Sequence, residues 1–226
     1  MRILTPYRWH TGKLSHPLRL MVVSDLHDRP YADILPLLTD ADALLVPGDS
    51  VDRYHQRFGD GLGFIREASK RLPTFVGVGN HETRLHQFTD FRAAVERTDA
   101  TFLYNSYARF GETVIGCWYR PERFGHRDML PDMEAEEGCK ILLCHRPEDY
   151  MKHLRNANVD LVLAGHAHGG QIRIGGQGLY APGQGLLPKY TRGVVDSRMI
   201  VSAGAGNAVP MPRWGNPCEV LQIDLD

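Results

Sequence analysis

Five short apolar runs recur along the chain: LRLMVVS (18–24), ADALLVPG (41–48), TFVGVG (74–79), KILLC (140–144) and VDLVLAG (159–165). Each is nearly continuous in aliphatic residues rather than alternating with polar ones, which is the pattern of a strand covered on both faces, as in a parallel sheet. Residues 31 to 40, 62 to 72, 83 to 98 and 147 to 156 instead space their apolar side chains as helices do, for example Phe64, Ala68 and Leu72, or Phe88, Phe91 and Val95. From residue 101 further strand-like runs follow in TFLYNSYARF, ETVIGCWY, QIRI, RMIVSAG and EVLQIDL. These are too many for one doubly wound sheet, so the pattern predicts an α/β fold of two sheets packed face to face with helices outside.

At 226 residues and 42% hydrophobic content the chain is long enough to bury a full core as one domain, 1–226. No Pro/Ser-rich linker, low-complexity run or fixed-period repeat divides it. Its 26 basic and 27 acidic residues nearly cancel, which leaves no global field to hold a polyanion, and strong nucleic-acid binding is not expected. The first twenty residues interrupt their apolar positions with Arg, Lys, His and Pro, so neither a signal-peptide core nor a membrane span is expected there. Cys117, Cys139, Cys144 and Cys218 lack CxxC spacing and the density of a disulfide scaffold, consistent with a reducing, cytoplasmic setting.

Each of the five apolar runs ends in residues that suit a metal ion: Asp25 and His27, Asp49, Asn80 and His81, His145, and His166 and His168. Open α/β sheets bind ligands beyond the carboxyl ends of their strands, so the recurrence points to one shared site. In extended backbone, residues i and i+2 face the same way, so Asp25 with His27, and His166 with His168, can each grip one ion. Singly, these residues read equally well as turn formers: Asp25 as a turn cap, His27 as a loop histidine, Asp49 and Asp52 as turn aspartates. Together they supply carboxylate, amide oxygen and imidazole, the mixed donors that hard and borderline divalent metals take, in the number two ions require. The other histidines, His10, His16, His55, His86, His126 and His153, follow no such pattern.

The ordered series DLH, GDSVD, GNHE, the lone His of LLCHRPE, and GHAH resembles the calcineurin-like metallophosphoesterase superfamily over most of residues 19 to 207. The stretch GHAHGGQIRI followed by LYAPGQGLLPKYTRG is similar to bacterial predicted phosphoesterases of the GHTHGGQ type. The resemblance implies a four-layer α/β/β/α sandwich of two mixed sheets with a dinuclear metal site at the strand ends. It implies one divalent ion held by Asp25, His27, Asp49 and His168 and a second by Asp49, Asn80, His145 and His166. Manganese is the expected metal, with iron, zinc and nickel as alternatives. The implied activity is hydrolysis of a phosphomonoester, phosphodiester or pyrophosphate, in a small phosphorylated substrate, by direct attack of a hydroxide between the ions. His81 is implied as the general acid that protonates the leaving oxygen.

GDSVDR and GNHE also echo the phosphoprotein phosphatase branch, which implies that Asp52 orients His81 and that Arg53 contacts phosphate oxygens. The chain departs from that branch at Tyr54, at Val78 and in SDLH. A surface turn with solvated charges is the other reading of Asp52 and Arg53. Residues 117 to 133, with Arg120, Arg123 and Arg127, and residues 177 to 192, with Lys189, Tyr190 and Arg192, are the loops expected to select the substrate. Two rival functions share the same residues. A nuclease would use the same two-metal core but lacks an aromatic-basic tract here, and a non-catalytic metal-binding scaffold would have no use for the intact GNHE.

Overall fold

The computed structural model describes residues 2–207, 209 and 211–226. The first sheet is built from β1 (Ile3–Trp9), β2 (Leu18–Val22), β3 (Ala43–Val46), β4 (Thr74–Val76) and β5 (Thr101–Phe102). The chain then crosses to a second sheet with β6 (Ser106–Phe110), β7 (Thr113–Cys117), β8 (Cys139–Leu143) and β9 (Leu161–Ala164). Two short hairpins follow, β10 (Arg173–Ile174) with β11 (Gln177–Gly178) and β12 (Tyr180–Ala181) with β13 (Gly185–Leu186). β14 (Gly193–Val195) and β15 (Met199–Val201) return to the second sheet, and β16 (Glu219–Leu225) closes the first. The strand orders are β1-β16-β2-β3-β4-β5 and β14-β15-β9-β8-β7-β6. Pairing is parallel along β2-β3-β4-β5 and along β15-β9-β8-β7, and antiparallel at β16-β2, β15-β14 and β7-β6. Both sheets are therefore mixed.

Three apolar cores account for four layers. Between the sheets, Leu20, Val22 and Leu45 of the first meet Ile115, Ile141, Leu143, Leu161 and Leu163 of the second. The alternate positions Met21, Leu44 and Val46 face outward onto α1 (Gly59–Ser69) and α2 (Phe88–Glu96), through Phe64, Ile65, Ala68, Phe91 and Val95. On the far side Val114, Leu142 and Val162 pack against Met133 of α3 (Leu130–Ala135) and against Tyr150 and Leu154. Tyr150–Leu154 is a π turn that continues α4 (Pro147–Asp149). Successive strand residues thus face different layers, and both layers are apolar, which is why the runs are continuous. Burial of a side chain such as Phe91 contributes roughly 1.5–3 kcal/mol.

Several elements differ from the sequence expectation, among them α3 and β14, which no expected run covers. Residues 31 to 40 hold only a 3-10 turn, Leu35–Leu38, because Pro36 lacks an N–H and Asp40 turns into left-handed backbone at φ 66°. QIRI contributes two residues to a hairpin and no strand to either sheet. Conversely, β1 forms where Pro6 and Arg8 mask an alternating pattern; as the edge of its sheet it tolerates both.

Candidate metal centre

The parallel ends of β2, β3 and β4 face those of β8 and β9 across the inter-sheet core, and the five motif loops meet there. The loops after β2 and β3 run side by side: Asp25 N–H donates to Gly48 O, His27 N–H to Asp49 O and Asp28 N–H to Ser50 O, at 2.9 to 3.1 Å. Asp25, His27, Asp49, His166 and His168 all adopt left-handed backbone, with φ between 47° and 66°. Each such residue costs about 1 kcal/mol or more, and it persists because the surroundings fix it. The Asp25 carboxylate accepts the His166 N–H at 3.1 Å and the Ser24 hydroxyl at 2.7 Å, and Asp49 Oδ1 accepts the His81 N–H at 2.7 Å. A Cβ at Gly79 would overlap Asp49 Oδ1, and one at Gly165 would overlap Ser24 and Asp25, so the glycines of GNHE and GHAH are needed for close approach.

The side chains converge as donor sets. Asp25 Oδ1 lies 3.7 Å from His27 Nε2 and 3.8 Å from His168 Nε2, and the two imidazole nitrogens are 3.1 Å apart. His145 Nε2 is 3.0 Å from Asp49 Oδ2 without hydrogen-bond geometry, and its ring lies edge-on to that of His166. Donors that share an ion at about 2.0–2.2 Å lie roughly 3 to 3.6 Å apart, close to these separations. Three donor triplets result: Asp25–His27–His168, His27–Asp49–His81 and Asp49–His145–His166, the atoms of each within 4.8 Å of one another. Asn80 Oδ1 and His166 Nε2 are buried with no hydrogen-bond partner, as expected for atoms that serve a metal, although Glu148 Oε1 lies 3.6 Å from His166 Nε2. Oxygen and imidazole donors of this mixture fit a divalent transition metal.

Charge is already arranged for such an ion. Burial opposes ionisation of Asp25, but the imidazoles of His168 and His27 outweigh it and hold the carboxyl well below its ordinary range. Asp49 is likewise depressed, against burial, by His145 and His81. Burial pushes His168 down to about 3 and lowers His166 as well, which keeps both imidazoles neutral. His145 is the exception. Burial pulls it down, yet Asp49 overrides that and lifts it to about 9.

His81 differs from the other histidines of the cluster. Its Nδ1 accepts the main-chain N–H of Arg53 at 3.1 Å. Burial, only partly countered by Asp49, lowers its pKa to about 4, so the ring is neutral and carries its proton on Nε2, 3.9 Å from Asp49 Oδ2. A protonated nitrogen has no lone pair for a metal but can donate a hydrogen. Asp52, expected to orient His81, does not reach it. The chain folds back through the Asp52–Arg57 bridge, so the Asp52 carboxylate turns to His55 Nδ1 at 2.6 Å and the Tyr54 N–H at 2.9 Å. The group on His81 is main chain. Arg53 lies over the Tyr54 ring and donates to its hydroxyl at 2.8 Å, beside His81 at the mouth of the site.

Several supporting residues carry no sequence signal of their own. Buried Glu82 accepts from the N–H groups of Asp49, Ser50 and Gly79 and from the Ser50 hydroxyl. Asn216 donates to the carbonyls of His168 and Gln171, and Arg213 to those of His168, Ala203 and Gly206, which fixes the GHAHGG loop from below. Buried Glu219 accepts the Ala203 N–H and pairs with Arg192. Glu82 was open to recognition as the last letter of GNHE, whereas Arg213, Asn216 and Glu219 lie too far along the chain for any spacing to announce them.

Of the donors, Asp49, Asn80, His166 and His168 line a cleft of about 150 Å³, together with Gln171 and with Tyr180, Pro182, Val209 and Met211. Of the two loops expected to select substrate, 177 to 192 reaches this cleft, although Arg192 is turned inward to Glu219. The loop 117 to 133 does not line it. Arg120 is taken by a two-pronged pair with buried Asp149, Arg127 pairs with Asp132, and the loop instead borders a separate pocket of about 360 Å³.

Comparison with known proteins agrees with this geometry. Residues 18–170 match the family model described as calcineurin-like phosphoesterase. The chain is 25% identical over 226 residues to an uncharacterized metallophosphoesterase of Helicobacter pylori, covering 94% of this chain and 59% of that protein. It thus spans about three fifths of that relative's length. It is 28% identical over 182 residues to phosphodiesterase YaeI of Escherichia coli, covering 70% of this chain and 63% of that one. The sulfate thiohydrolase SoxB of Thermus thermophilus superposes with a TM-score of 0.50 at 12% identity, covering 92% of this chain and 56% of SoxB, a likeness of fold. The match spans well over half of the chain and contains all of the strand-end motifs, so the chain belongs to the calcineurin-like phosphoesterase family.

Proposed function

We propose that this chain, as a single domain, is a phosphoesterase that works with two divalent ions, manganese foremost, on a small phosphorylated substrate. Asp25, His27, Asp49 and His168 would hold one ion and Asp49, Asn80, His145 and His166 the other. The observation that carries this reading is the linkage of the three donor triplets through His27 and Asp49 into one continuous buried array. Two ions bound there would supply positive charge for a phosphate and would lower the pKa of bound water.

The chain's own residues do the rest. Asp25 and Asp49, held ionised, would cancel two of the four positive charges that two divalent ions bring, leaving about two to attract a phosphate. His81, its Nδ1 fixed by the Arg53 N–H, presents Nε2–H to the leaving oxygen and stabilises its developing charge as a hydrogen-bond donor, the proton itself coming from water, and not as the imidazolium acid the resemblance implies. Arg53, at the cleft mouth, pairs with the non-bridging oxygens. Asp52 acts one step away by shaping the turn that carries the Arg53 N–H.

A cytoplasmic setting is supported by four cysteines that form no disulfide. Among the described residues no helix is long and apolar enough to cross a membrane. The test is turnover of p-nitrophenyl phosphate and bis-p-nitrophenyl phosphate by manganese-loaded protein, with metal content measured alongside. Turnover that survives Asp49→Asn would overturn the assignment. Binding of two ions with no turnover of any ester would identify a scaffold, and selective cleavage of single-stranded DNA a nuclease.

A further inference from the structure

The wall of the cleft opposite the metal donors is apolar and open. Tyr54 and Tyr180 are 56% and 43% exposed at its mouth, and Met211, 41% exposed, lies beside them. In the hairpin of β12 and β13 Tyr180 pairs directly with Leu186, so both side chains emerge on the same face, and Leu186 is 81% exposed. Leu187, next in the chain, is 64% exposed. Exposed leucine and tyrosine gathered beside a cleft are not explained by folding, since burying them would stabilise the chain.

The charge pattern points the same way. Between Asp160 and Glu219 the chain carries one acid, Asp196, against five cations, Arg173, Lys189, Arg192, Arg198 and Arg213. Asp196 is occupied on the surface by Arg155. Arg173 and Arg213 donate to main-chain carbonyls and Arg192 to Glu219, so they are committed to holding the loops. The wall therefore spares a phosphate from carboxylate repulsion, and apart from Gln171 and the tyrosine hydroxyls it offers the rest of the ester aliphatic and aromatic surface.

We propose that the substrate is an apolar phosphoester: one substituent on phosphorus is an alkyl chain or aryl ring that lies along Tyr180, Met211 and Leu186 while the phosphate meets the metal floor. This rests on the phosphoesterase reading above and narrows it. Tyr54, stacked edge-on to His81, closes the opposite side of the mouth. Tyr180 and Leu186 become specificity-determining residues, acting on the substituent and not on the reacting bond.

The experiment uses p-nitrophenyl esters with one leaving group and a variable second substituent: methyl, butyl and octyl. With manganese-loaded protein, kcat/KM for the octyl ester should exceed that for the methyl ester at least about tenfold. Tyr180→Ser and Leu186→Ser, both at exposed hairpin positions, should each bring that ratio toward one with metal content retained. A flat ratio in the unaltered protein overturns the inference while leaving the phosphoesterase reading standing.

Calorimetric binding of octylphosphonate against methylphosphonate supplies a readout without turnover. Tighter binding of the octyl compound by a protein that hydrolyses none of the esters keeps the apolar site and removes the phosphoesterase reading; equal binding overturns the inference whatever the turnover. Hydrolysis of a hexadecyl ester held in phosphatidylcholine vesicles would mark a membrane lipid as the source of the ester, and restriction to dispersed octyl ester a free molecule.

Discussion

Glu82 accepts the main-chain N–H of Asp49 at 2.8 Å, and with its remaining capacity ties the loop after β3 to the loop after β4. Burial, reinforced by the neighbouring Asp49 carboxylate, raises the pKa of Glu82. Four donors converge on this single side chain. Glu82→Gln turns one of its oxygens into an N–H₂ facing N–H groups that need an acceptor. The variant should lose about 2–4 kcal/mol of stability in denaturant titration and bind manganese about 10- to 100-fold more weakly. Unchanged metal affinity would show that the Asp49 loop holds its shape without this carboxylate.

The Arg53 N–H to His81 Nδ1 contact leads to a distinct expectation for His81. His81→Ala should keep its metal and lose about 10²- to 10³-fold in kcat, the range for removing one hydrogen-bond donor from a developing oxyanion. The loss should be larger for an alkoxide leaving group than for nitrophenolate, which departs without a proton. In metal-free protein at pH 7, nitrogen NMR should report the Nε2–H tautomer. A metal-depleted His81→Ala protein would make His81 a ligand, completing the His27–Asp49–His81 triplet.

Much of this centre was legible because two periodicities coincide in it. A strand buried on both faces must be a continuous apolar run, and a ligand loop must follow its carboxyl end, so LVLAGHAH and ALLVPGD advertise element and chemistry together. What was not legible depends on contacts between distant segments. Asp52 fits a charge relay in one dimension, but its preference for bonding its own turn captures it, and a main-chain N–H, which no residue type encodes, takes its place on His81. Arg213 and Asn216 hold His168 from 45 and 48 residues away. Arg120 belongs to a loop expected to select substrate, but Asp149, itself buried, claims it.

Gly79 and Gly59 form a contrasting pair. At Gly79 a methyl group would overlap Asp49 Oδ1 and press on its main chain, whereas at Gly59, the first residue of α1, nothing lies within 4 Å of an added Cβ. Gly79→Ala should cost about 1–3 kcal/mol through overpacking and displace the carboxylate common to both proposed ion sites. Loss of bound metal with native circular dichroism is the expected signature. Gly59→Ala should be neutral or stabilise by up to about 1 kcal/mol, because it restricts the unfolded chain. Equal thermal stability of the two variants would sink the close-approach account of GNHE.

Proton release on metal loading tests His145 as a ligand. Burial disfavours its charged form, but Asp49 raises it to about 9, so in metal-free protein at pH 7 His145 is an imidazolium against a carboxylate. A metal needs the neutral ring, so loading must expel that proton; His166 and His168, lowered by burial, have none to give. Calorimetry in two buffers of different ionisation enthalpy should therefore show about one proton released from His145 at pH 7. Apparent affinity should rise about tenfold per pH unit from 7 toward 9, the direction required of a group whose protonated form competes with the ion, and then level off. In His145→Ala the release should fall by about one proton and the pH slope should be correspondingly shallower. An unaltered protein that takes up manganese at pH 7 with no proton released would remove His145 from the ligand set.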